Sequence, residues 1–261
     1  MPRLVATDLD GTLLRTDGTV SPYTAQVLVK LDRQGVTVVI VTARPLRWMQ
    51  DLWQYVGSHG LTIVSNGAIV YDVGAGRVRE LTGIEADEGL ALVEAITAAV
   101  PEAAFAIECE SGIRLDPRFH ELHHVPEGSP VGDLRGLWGE PAVKLMVRCE
   151  GMDPDELRQR VVAAVGDLAV PTWSGDHLVE ISAPGITKAS TLARICSDLG
   201  VDARDVVAFG DMPNDLPMLA WAGTSYAMAN ADPAVIAAAD HVAPTNDDDG
   251  VATVLVGLFD L

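Results

Sequence analysis

Two aspartates end the first apolar run of this sequence and stand only two residues apart. Asp8 and Asp10 follow the apolar residues 4–7 and lead directly into Gly11 and Thr12. Because an unpaired buried carboxylate is costly, such a run does not carry aspartates for its own stability. Alternation along a strand would point both side chains to the same face. We therefore predict a strand that delivers two carboxylates to its carboxyl end, where something cationic must offset their charge.

More polar residues stand at the ends of other predicted strands or just beyond them. Thr42 and Arg44 follow the second predicted strand, and Lys188 opens a predicted helix. A later strand ends in residues 210–215, which read Gly-Asp-Met-Pro-Asn-Asp. The carboxyl ends of the strands in a doubly wound sheet converge on one crevice. We therefore predict that these groups meet Asp8 there.

The acidic members of this group predict a metal site. Asp8, Asp211 and Asp215 would lie within a few ångström of one another, and each like-charge pair at ~4 Å costs about 4 kcal/mol at an effective dielectric constant near 20. A hard divalent cation relieves this repulsion, and a site made only of oxygen ligands suits Mg²⁺, which bridges readily to a phosphate. The expected cofactor is therefore Mg²⁺.

The same residue types fit phosphoryl transfer. An aspartate beside Mg²⁺ can attack phosphorus and form an aspartyl-phosphate. A second aspartate, displaced by two residues, can protonate the leaving oxygen and later activate water. Lys188 would neutralise the phosphoryl oxygens, while Thr42 and Asn214 are neutral groups suited to hydrogen bonds with a phosphate oxygen.

The elements that position these groups alternate between strand and helix. Residues 36–41 form a continuous β-branched run, which is typical of a strand buried on both faces. Ser21 and Pro22 predict the start of the helix before it and Gly35 its end, and another helix is expected after Pro45. The last third of the chain, from the helix at 188–199 onward, resumes this alternation.

The middle of the chain, residues 83–182, has a different character, with two longer helices and short strands around a region rich in proline and glycine. We expect an α/β fold: a Rossmann-like, doubly wound parallel sheet core made of residues 1–82 and 183–261, with 83–182 as an inserted α/β domain.

Composition limits the classes of partner. The 261 residues include 37 acidic and 18 basic side chains, a formal charge of −19. Nucleic acid and anionic membranes are bound through a surplus of lysine and arginine, so neither is expected here. Three widely spaced cysteines and the absence of a signal peptide or membrane-spanning run indicate a cytoplasmic protein with reduced, buried thiols. A monomer and a homodimer are both compatible with the sequence.

Taken together, the motifs resemble the haloacid dehalogenase superfamily, and within it the Cof-type, sugar-phosphatase-like branch. The sequence Asp-Leu-Asp-Gly-Thr at 8–12, Thr42, Lys188 and the segment 210–219 follow the four-motif order of that family. Smaller matches are Asn66-Gly67, residues 229–231 and residues 246–250. The branch places an α/β cap of the C2 type between the second and third motifs, where this chain has its insertion.

The resemblance implies a role for each matching residue. Asp8 would be the nucleophile and a Mg²⁺ ligand, and Asp10 the general acid/base, with its backbone carbonyl on the metal. Asp211 would be the third protein ligand and Asp215 would support the metal, directly or through water. The transferring phosphoryl group would be held by Thr42 and Lys188. The candidate substrate-binding residues are Thr12, Arg44, Asn66 and Asn214.

The expected function is hydrolysis of phosphate monoesters of small metabolites, with sugar phosphates as the default substrates of the branch. Two alternatives stay open at this point: a phosphomutase-like transferase, and a metabolite-sensing protein without useful catalysis. Arg44 and Asn66 also have plain structural interpretations, as a surface arginine and as a left-handed turn residue.

The insertion carries further candidates. Three polar residues in it could contact the leaving group of the substrate: Arg114, Lys144 and His177. By contrast, the three histidines in the loop rich in proline and glycine (His120, His123 and His124) lack a metal-ligand pattern and are predicted to be solvated.

Overall fold

Thirteen strands and eight α-helices form in the part of the chain that the computed structural model describes, which is residues 2–173, 175 and 178–261. The strands are β1 (Leu4–Thr7), β2 (Thr37–Val41), β3 (Leu61–Val64), β4 (Ile69–Asp72), β5 (Arg77–Leu81), β6 (Ala104–Cys109), β7 (Gly112–Leu115), β8 (Ala142–Arg148), β9 (Val170–Thr172), β10 (Leu178–Ser182), β11 (Val206–Gly210), β12 (Thr224–Met228) and β13 (His241–Ala243). The helices are α1 (Pro22–Arg33), α2 (Ala86–Ala99), α3 (Leu134–Leu137), α4 (Pro154–Val165), α5 (Lys188–Leu199), α6 (Leu216–Trp221), α7 (Pro233–Ala238) and α8 (Gly250–Phe259).

These elements fall into two units along the chain. One unit consists of Met1–Glu80 together with Thr187–Leu261, and the other of Leu81–Ile186. The second unit is thus inserted into the sequence of the first.

The first unit is built on an eight-stranded sheet in the order β13-β12-β11-β1-β2-β3-β4-β5. The pairs from β13 through β3 are parallel, and β4 pairs with β3 in the antiparallel direction. The chain therefore winds outward from β1 in both directions, which confirms the predicted Rossmann-like α/β core. The order reverses between β1 and β11, and open α/β sheets place their ligand crevices at such a switch point.

The buried strands and the helix caps follow the sequence pattern. Four of the five residues of β2 are buried, as the β-branched run predicts. The hydroxyl of Ser21 accepts a hydrogen bond from the backbone N–H of Thr24, and Gly35 follows α1 with a φ of 76°. In this unit α1 packs against α8, and α5 packs against α6.

The helix predicted after Pro45 forms as 3₁₀-helix and not as α-helix. Residues Leu46–Trp48 and Gln50–Tyr55 form two 3₁₀ segments, joined at Met49, in place of one α-helix. Met49 and Leu52 are both buried. A three-residue spacing places such side chains on one face in a 3₁₀-helix, where residues i and i+3 eclipse. The apolar spacing here therefore fits the tighter helix.

The second unit contains a five-stranded sheet in the order β7-β6-β8-β10-β9, and each pair is antiparallel. Helices α2 and α4 pack against each other, and their apolar side chains share a core with Phe105, Leu145 and Trp138. None of the helices in the described part of the chain has the length and apolar character needed to cross a bilayer.

Candidate active site

Four of the polar residues predicted to converge, three aspartates and Lys188, meet at the carboxyl ends of β1 and β11. These two strands are parallel neighbours, with Thr7 of β1 paired with Phe209 of β11. Asp8 follows β1 directly, and its backbone N–H donates to the carbonyl of Phe209 at 3.1 Å. Asp211 follows β11 directly. The register of the sheet therefore fixes the two aspartates side by side.

A cluster of three buried carboxylates occupies this position. Asp8, Asp211 and Asp215 each present a carboxylate oxygen, and these oxygens all lie within 4.8 Å of one another. Carboxylates at such short distances repel strongly unless a cation lies among them. The donor set consists entirely of oxygen, which matches the ligand preference of Mg²⁺.

The ammonium group of Lys188 is the basic partner of this cluster. Its Nζ donates to Oδ1 of Asp8 at 2.8 Å and to Oδ1 of Asp215 at 2.6 Å, and the side chain is only 1% exposed. Three ionised carboxylates and one ammonium leave two negative charges. The residues present therefore fit a divalent cation.

Burial and mutual repulsion shift the protonation of this cluster. Burial raises the pKa of Asp8 well above its ordinary value; Lys188 opposes the shift, and Asp215 and Asp211 add to it. Burial also raises the pKa of Asp211 to about 7, against the hydrogen bond from Thr12. Burial lowers the pKa of Lys188, but Asp215 and Asp8 outweigh it, so that pKa lies above its usual value. Without a cation, the cluster therefore resists full ionisation.

Lys188 reaches the cluster because it is the first residue of α5. Thr187 caps this helix: its hydroxyl accepts a hydrogen bond from the backbone N–H of Ser190, and the hydroxyl of Ser190 accepts one from the N–H of Thr187. Thr187 had no assigned role in the sequence, although a threonine before a helical run is a recognisable capping signal.

Asp215 holds both the lysine and the loop after β11. Its Oδ1 accepts from Lys188, and its Oδ2 accepts 3.1 Å hydrogen bonds from the backbone N–H groups of Asp211 and Met212. Its side chain is fully buried. Asp215 therefore fixes the loop that carries Asp211, in addition to its place in the carboxylate cluster.

Thr12 contacts one of the three clustered carboxylates. Its hydroxyl is buried and donates a 2.6 Å hydrogen bond to Oδ1 of Asp211. Gly11, in the left-handed region at φ 74°, makes this approach feasible, since a Cβ at this position would lie 2.2 Å from Oδ2 of Asp211. Thr12 thus orients a carboxylate of the cluster, and its substrate contact stays a prediction.

Thr42 and Arg44 both lie in the loop after β2. The buried hydroxyl oxygen of Thr42 accepts a 3.0 Å hydrogen bond from the backbone N–H of Arg44. The guanidinium group of Arg44 forms two hydrogen bonds with the carboxylate of Asp10, at 2.6 and 2.8 Å. Arg44 is therefore engaged by a protein carboxylate, which neither of its expected roles included.

Asn66 and Asn214 contact each other. The Nδ2 group of Asn214 donates to Oδ1 of Asn66 at 3.1 Å, and both side chains are buried. Asn66 lies in the left-handed region at φ 56°, as its structural interpretation predicts. The Asn66–Asn214 contact connects the turn after β3 with the loop after β11.

Two asparagines near the end of the chain brace the loop at 8–14. Asn230 donates through Nδ2 to the carbonyl of Gly11 at 2.8 Å, and Asn246 donates through Nδ2 to the carbonyl of Leu14 at 2.9 Å. Sequence reasoning assigned neither residue a role. The only signal was their place in the short motifs at 229–231 and 246–250.

The candidates in the second unit have partners within that unit. The guanidinium group of Arg114 pairs with Glu140, and the ammonium of Lys144 pairs with Glu180. His177 lies outside the described residues. His120, His123 and His124 are exposed, as expected for solvated loop residues.

The three cysteines are free and buried, as the sequence predicts. Burial raises the pKa of Cys196 to about 11, so its thiol stays protonated at neutral pH. These features do not suit a nucleophile, which needs a thiolate.

Known proteins are similar in sequence to this chain along nearly its whole length. The sequence profile of the haloacid dehalogenase-like hydrolases matches residues 5–255. The 5-amino-6-(5-phospho-D-ribitylamino)uracil phosphatase YitU of Bacillus subtilis (strain 168) is 31% identical, over 100% of this chain and 98% of that protein. An HMP-PP phosphatase of Enterobacter sp. (strain 638) is 28% identical, over 93% of this chain and 89% of that protein.

The solved structures agree on the fold. BT1666 of Bacteroides thetaiotaomicron, described among phosphatases of the same superfamily, superposes with a TM-score of 0.84 at 24% identity, covering 100% of this chain and 96% of that chain. The resemblance carried by the four motifs is thus confirmed. The chain belongs to the haloacid dehalogenase-like hydrolases, in their Cof-type branch.

Proposed function

We propose that this protein is a Mg²⁺-dependent phosphatase that hydrolyses phosphate monoesters of small metabolites through a phosphorylated Asp8. The observation that carries the proposal is the buried cluster of three carboxylates around one ammonium group. A structural cluster has no need of such a charge imbalance, because burying unpaired carboxylates is costly.

Mg²⁺ would be held by the carboxylates of Asp8 and Asp211 and by the backbone carbonyl of Asp10, with Asp215 supporting it. When bound, the ion supplies positive charge beside the transferring phosphoryl group. The balance of charges in the cluster supports this proposal, because the two unmatched negative charges equal the charge of one such ion.

In the first step, a carboxylate oxygen of Asp8 attacks phosphorus and the bond from phosphorus to the ester oxygen breaks. Asp10 gives its proton to the leaving oxygen, so the alcohol departs neutral. The product is an aspartyl-phosphate at Asp8.

In the second step, Asp10 takes a proton from a water molecule as the water attacks phosphorus. The bond from phosphorus to the Asp8 oxygen breaks, which releases inorganic phosphate and restores both side chains. The carboxyl group of Asp10 therefore donates a proton in the first step and accepts one in the second.

Lys188 would neutralise phosphoryl oxygens, and the contact of its ammonium group with Oδ1 of Asp8 supports this role. The hydroxyl of Thr42 accepts from a backbone N–H, and its own hydrogen remains available to a phosphoryl oxygen. Asn214 is held by Asn66 and is proposed to contact the phosphoryl group or its surroundings. As the family resemblance implies, the inserted residues 83–182 are proposed to act as the cap that selects the leaving group.

Phosphate release tests the proposal. The purified protein is assayed with sugar phosphates, phosphoglycolate, pyridoxal phosphate, nucleotides and the phosphoribitylamino-uracil that names the Bacillus subtilis relative. Each substrate is assayed with Mg²⁺ and with EDTA. We expect Mg²⁺-dependent release concentrated on one or two compounds, with sugar phosphates or related monoesters as the main class.

Two outcomes would contradict the proposal. An isomerised sugar phosphate in place of free phosphate would indicate a mutase. Tight ligand binding without Mg²⁺ and without phosphate release, by a folded protein, would indicate a sensor.

A further inference from the structure

The carboxylate of Asp10 is held by a single side chain. Nε of Arg44 donates to its Oδ2 at 2.8 Å and Nη2 donates to its Oδ1 at 2.6 Å. The side chain of Asp10 is 59% exposed and that of Arg44 is 22% exposed. Within the described residues, Arg44 is the only hydrogen-bond partner of this carboxylate. The fork-shaped contact fixes the plane of the carboxylate as well as its position.

Arg44 is itself held in place by the backbone. Its N–H donates to the hydroxyl of Thr42 at 3.0 Å, and its carbonyl accepts from the N–H of Ser65 at 2.9 Å. The N–H of Asn66 also donates to the carbonyl of Thr42 at 3.0 Å. The loop that carries the guanidinium group is therefore tied to the turn after β3.

Each of the two basic residues at the site pairs with different acidic residues. Lys188 pairs with the buried carboxylates of Asp8 and Asp215, whereas Arg44 pairs with the exposed carboxylate of Asp10. An ion pair as exposed as that of Asp10 contributes little to stability. Its two-point geometry is therefore better explained by a demand for orientation.

We propose that Arg44 is a positioning residue that orients the carboxyl group of Asp10 for proton transfer. The inference rests on the proposed function, because it takes Asp10 to be the acid of the first step and the base of the second. Without the guanidinium fork, an exposed aspartate samples several rotamers. Proton transfer needs the group within hydrogen-bond reach of the oxygen that receives or gives the proton.

The two steps depend on Asp10 to different degrees, and this makes the proposal testable. A leaving group that is stable as an anion, such as 4-nitrophenolate, departs without a proton. An alkoxide leaving group, as in a sugar phosphate, needs one. Attack by water on the aspartyl-phosphate needs Asp10 whichever substrate formed it. Loss of Arg44 should therefore slow the first step only for substrates whose leaving group needs a proton. It should slow the second step for every substrate.

The experiment uses the full chain in the presence of Mg²⁺. The protein is in excess over the substrate, so that a single turnover is followed. Release of the alcohol reports the first step, and release of inorganic phosphate reports the second. The substrates are 4-nitrophenyl phosphate and the best sugar phosphate of the panel. The variants are Arg44→Ala, Arg44→Lys, Asp10→Asn and the double variant R44A/D10N, with Arg79→Ala as an arginine control away from the site.

For Arg44→Ala we expect nitrophenol release within about threefold of the wild-type rate, while release of the sugar slows about 10- to 100-fold, a fraction of the usual effect of a general acid. Phosphate release should slow by a similar factor with both substrates. Arg44→Lys should fall between these limits, because an ammonium group restores the charge without the fork. Adding Arg44→Ala to Asp10→Asn should change neither step by more than about threefold.

Three results would overturn the inference while leaving the proposed function intact. Equal slowing of both alcohols would make Arg44 a ligand of the phosphoryl group, and weaker binding of the sugar phosphate at an unchanged rate would make it a ligand of the leaving group. An additive loss in R44A/D10N would show that Arg44 acts independently of Asp10. If wild-type protein releases neither product, the proposed function fails and the inference fails with it.

Discussion

Thr12 and Asp211 stand 199 positions apart in the sequence, yet the hydroxyl of Thr12 donates a buried hydrogen bond of 2.6 Å to Oδ1 of Asp211. The hydrogen bond favours the ionised carboxylate and opposes the burial that raises its pKa. It therefore joins the first motif to the last across the two neighbouring strands that carry them. Ionisation of Asp211 is the state that a metal ion requires.

Replacement of Thr12 by valine removes this donor at nearly constant volume. We expect Thr12→Val to need about 10- to 100-fold more Mg²⁺ for half-maximal phosphate release, since a hydrogen bond to a charged group contributes about 1.5–3 kcal/mol. Turnover at saturating Mg²⁺ should be largely retained. Thr12→Ser keeps the hydroxyl and is the control. An unchanged Mg²⁺ requirement in Thr12→Val would place this hydroxyl outside the metal's support.

Asp8 is the proposed nucleophile, and an amide cannot replace it. Asp8→Asn should lower turnover by at least about 10³-fold, because the covalent step is lost while binding remains. The fold should survive, since asparagine keeps the shape of the side chain and the N–H donated to Phe209. Phosphate release and circular dichroism are measured together, with Asp51→Asn as a surface control. A folded Asp8→Asn protein that retains turnover would end this mechanism.

Removal of the metal should make stability depend on pH. The pKa values of Asp8 and Asp211 are raised in the folded chain, that of Asp211 to about 7. A group whose pKa is higher in the folded state than in the unfolded state contributes its full stabilisation below the unfolded-state pKa. This stabilisation is lost as the pH rises through the folded-state pKa. The partly buried His59, whose pKa is lowered by its burial, acts in the opposite sense, but only below its ordinary value of 6.5.

In EDTA, the melting temperature should therefore fall by a few degrees, on the order of 5 °C, between pH 6.5 and 8.5. Mg²⁺ should remove this fall, because it binds the ionised carboxylates of the native state alone. Calorimetry at several pH values, with and without Mg²⁺, measures both effects. The variant Asp211→Asn should show a smaller fall in EDTA. A melting temperature that rises over this range without metal would contradict the assignment.

The ammonium group of Lys188 offsets part of the buried negative charge of the carboxylate cluster. Lys188→Met should destabilise the metal-free protein by about 3–5 kcal/mol, the usual cost of removing one partner of a buried pair. The loss should be smaller when Asp215 is also changed to asparagine, because one stranded charge is then absent. Urea unfolding in EDTA measures the free energies of wild type, both single variants and the double variant. Equal losses in Lys188→Met and the double variant would show that the ion pair carries little of the effect.

Gly67 lies in the left-handed region at φ 104°, where a Cβ would come 2.3 Å from the carbonyl oxygen of Thr187. Thr187 caps the helix that begins with Lys188, so Gly67→Ala should displace that lysine. We expect a loss of about 2–4 kcal/mol from strain and overpacking together. Turnover should fall at least about 10-fold, because small displacements at a reacting centre are costly.

Gly76 provides the control for this substitution. It has a φ of 63°, but a Cβ added there would meet no heavy atom within 4 Å. Gly76→Ala should therefore cost only the backbone strain, about 1 kcal/mol, and leave turnover unchanged. Urea unfolding and steady-state kinetics distinguish the two variants. Equal effects of the two alanines would show that the contact with Thr187 is unimportant.

The sequence was sufficient to predict the sheet and the convergence of the acidic residues. The apolar runs before Asp8 and Asp211 mark buried strands, and parallel strands must present their carboxyl ends at the same edge. Capping signals such as Ser21 gave the helix boundaries. These features depend on local periodicity and on the rules of sheet topology, so they can be predicted from the residues alone.

The partners of the site side chains were decided only by the tertiary structure. Arg44 pairs with Asp10 and Thr12 donates to Asp211, and the sequence indicated neither of these partners. The segment at 46–55 forms 3₁₀ turns, and its buried side chains Met49 and Leu52 are three residues apart. Such choices depend on which side chain fills the space beside another, within a few tenths of an ångström. A periodic pattern carries no information at that scale, and only the assembled sheet and its loops bring residues nearly 200 positions apart into hydrogen-bond distance.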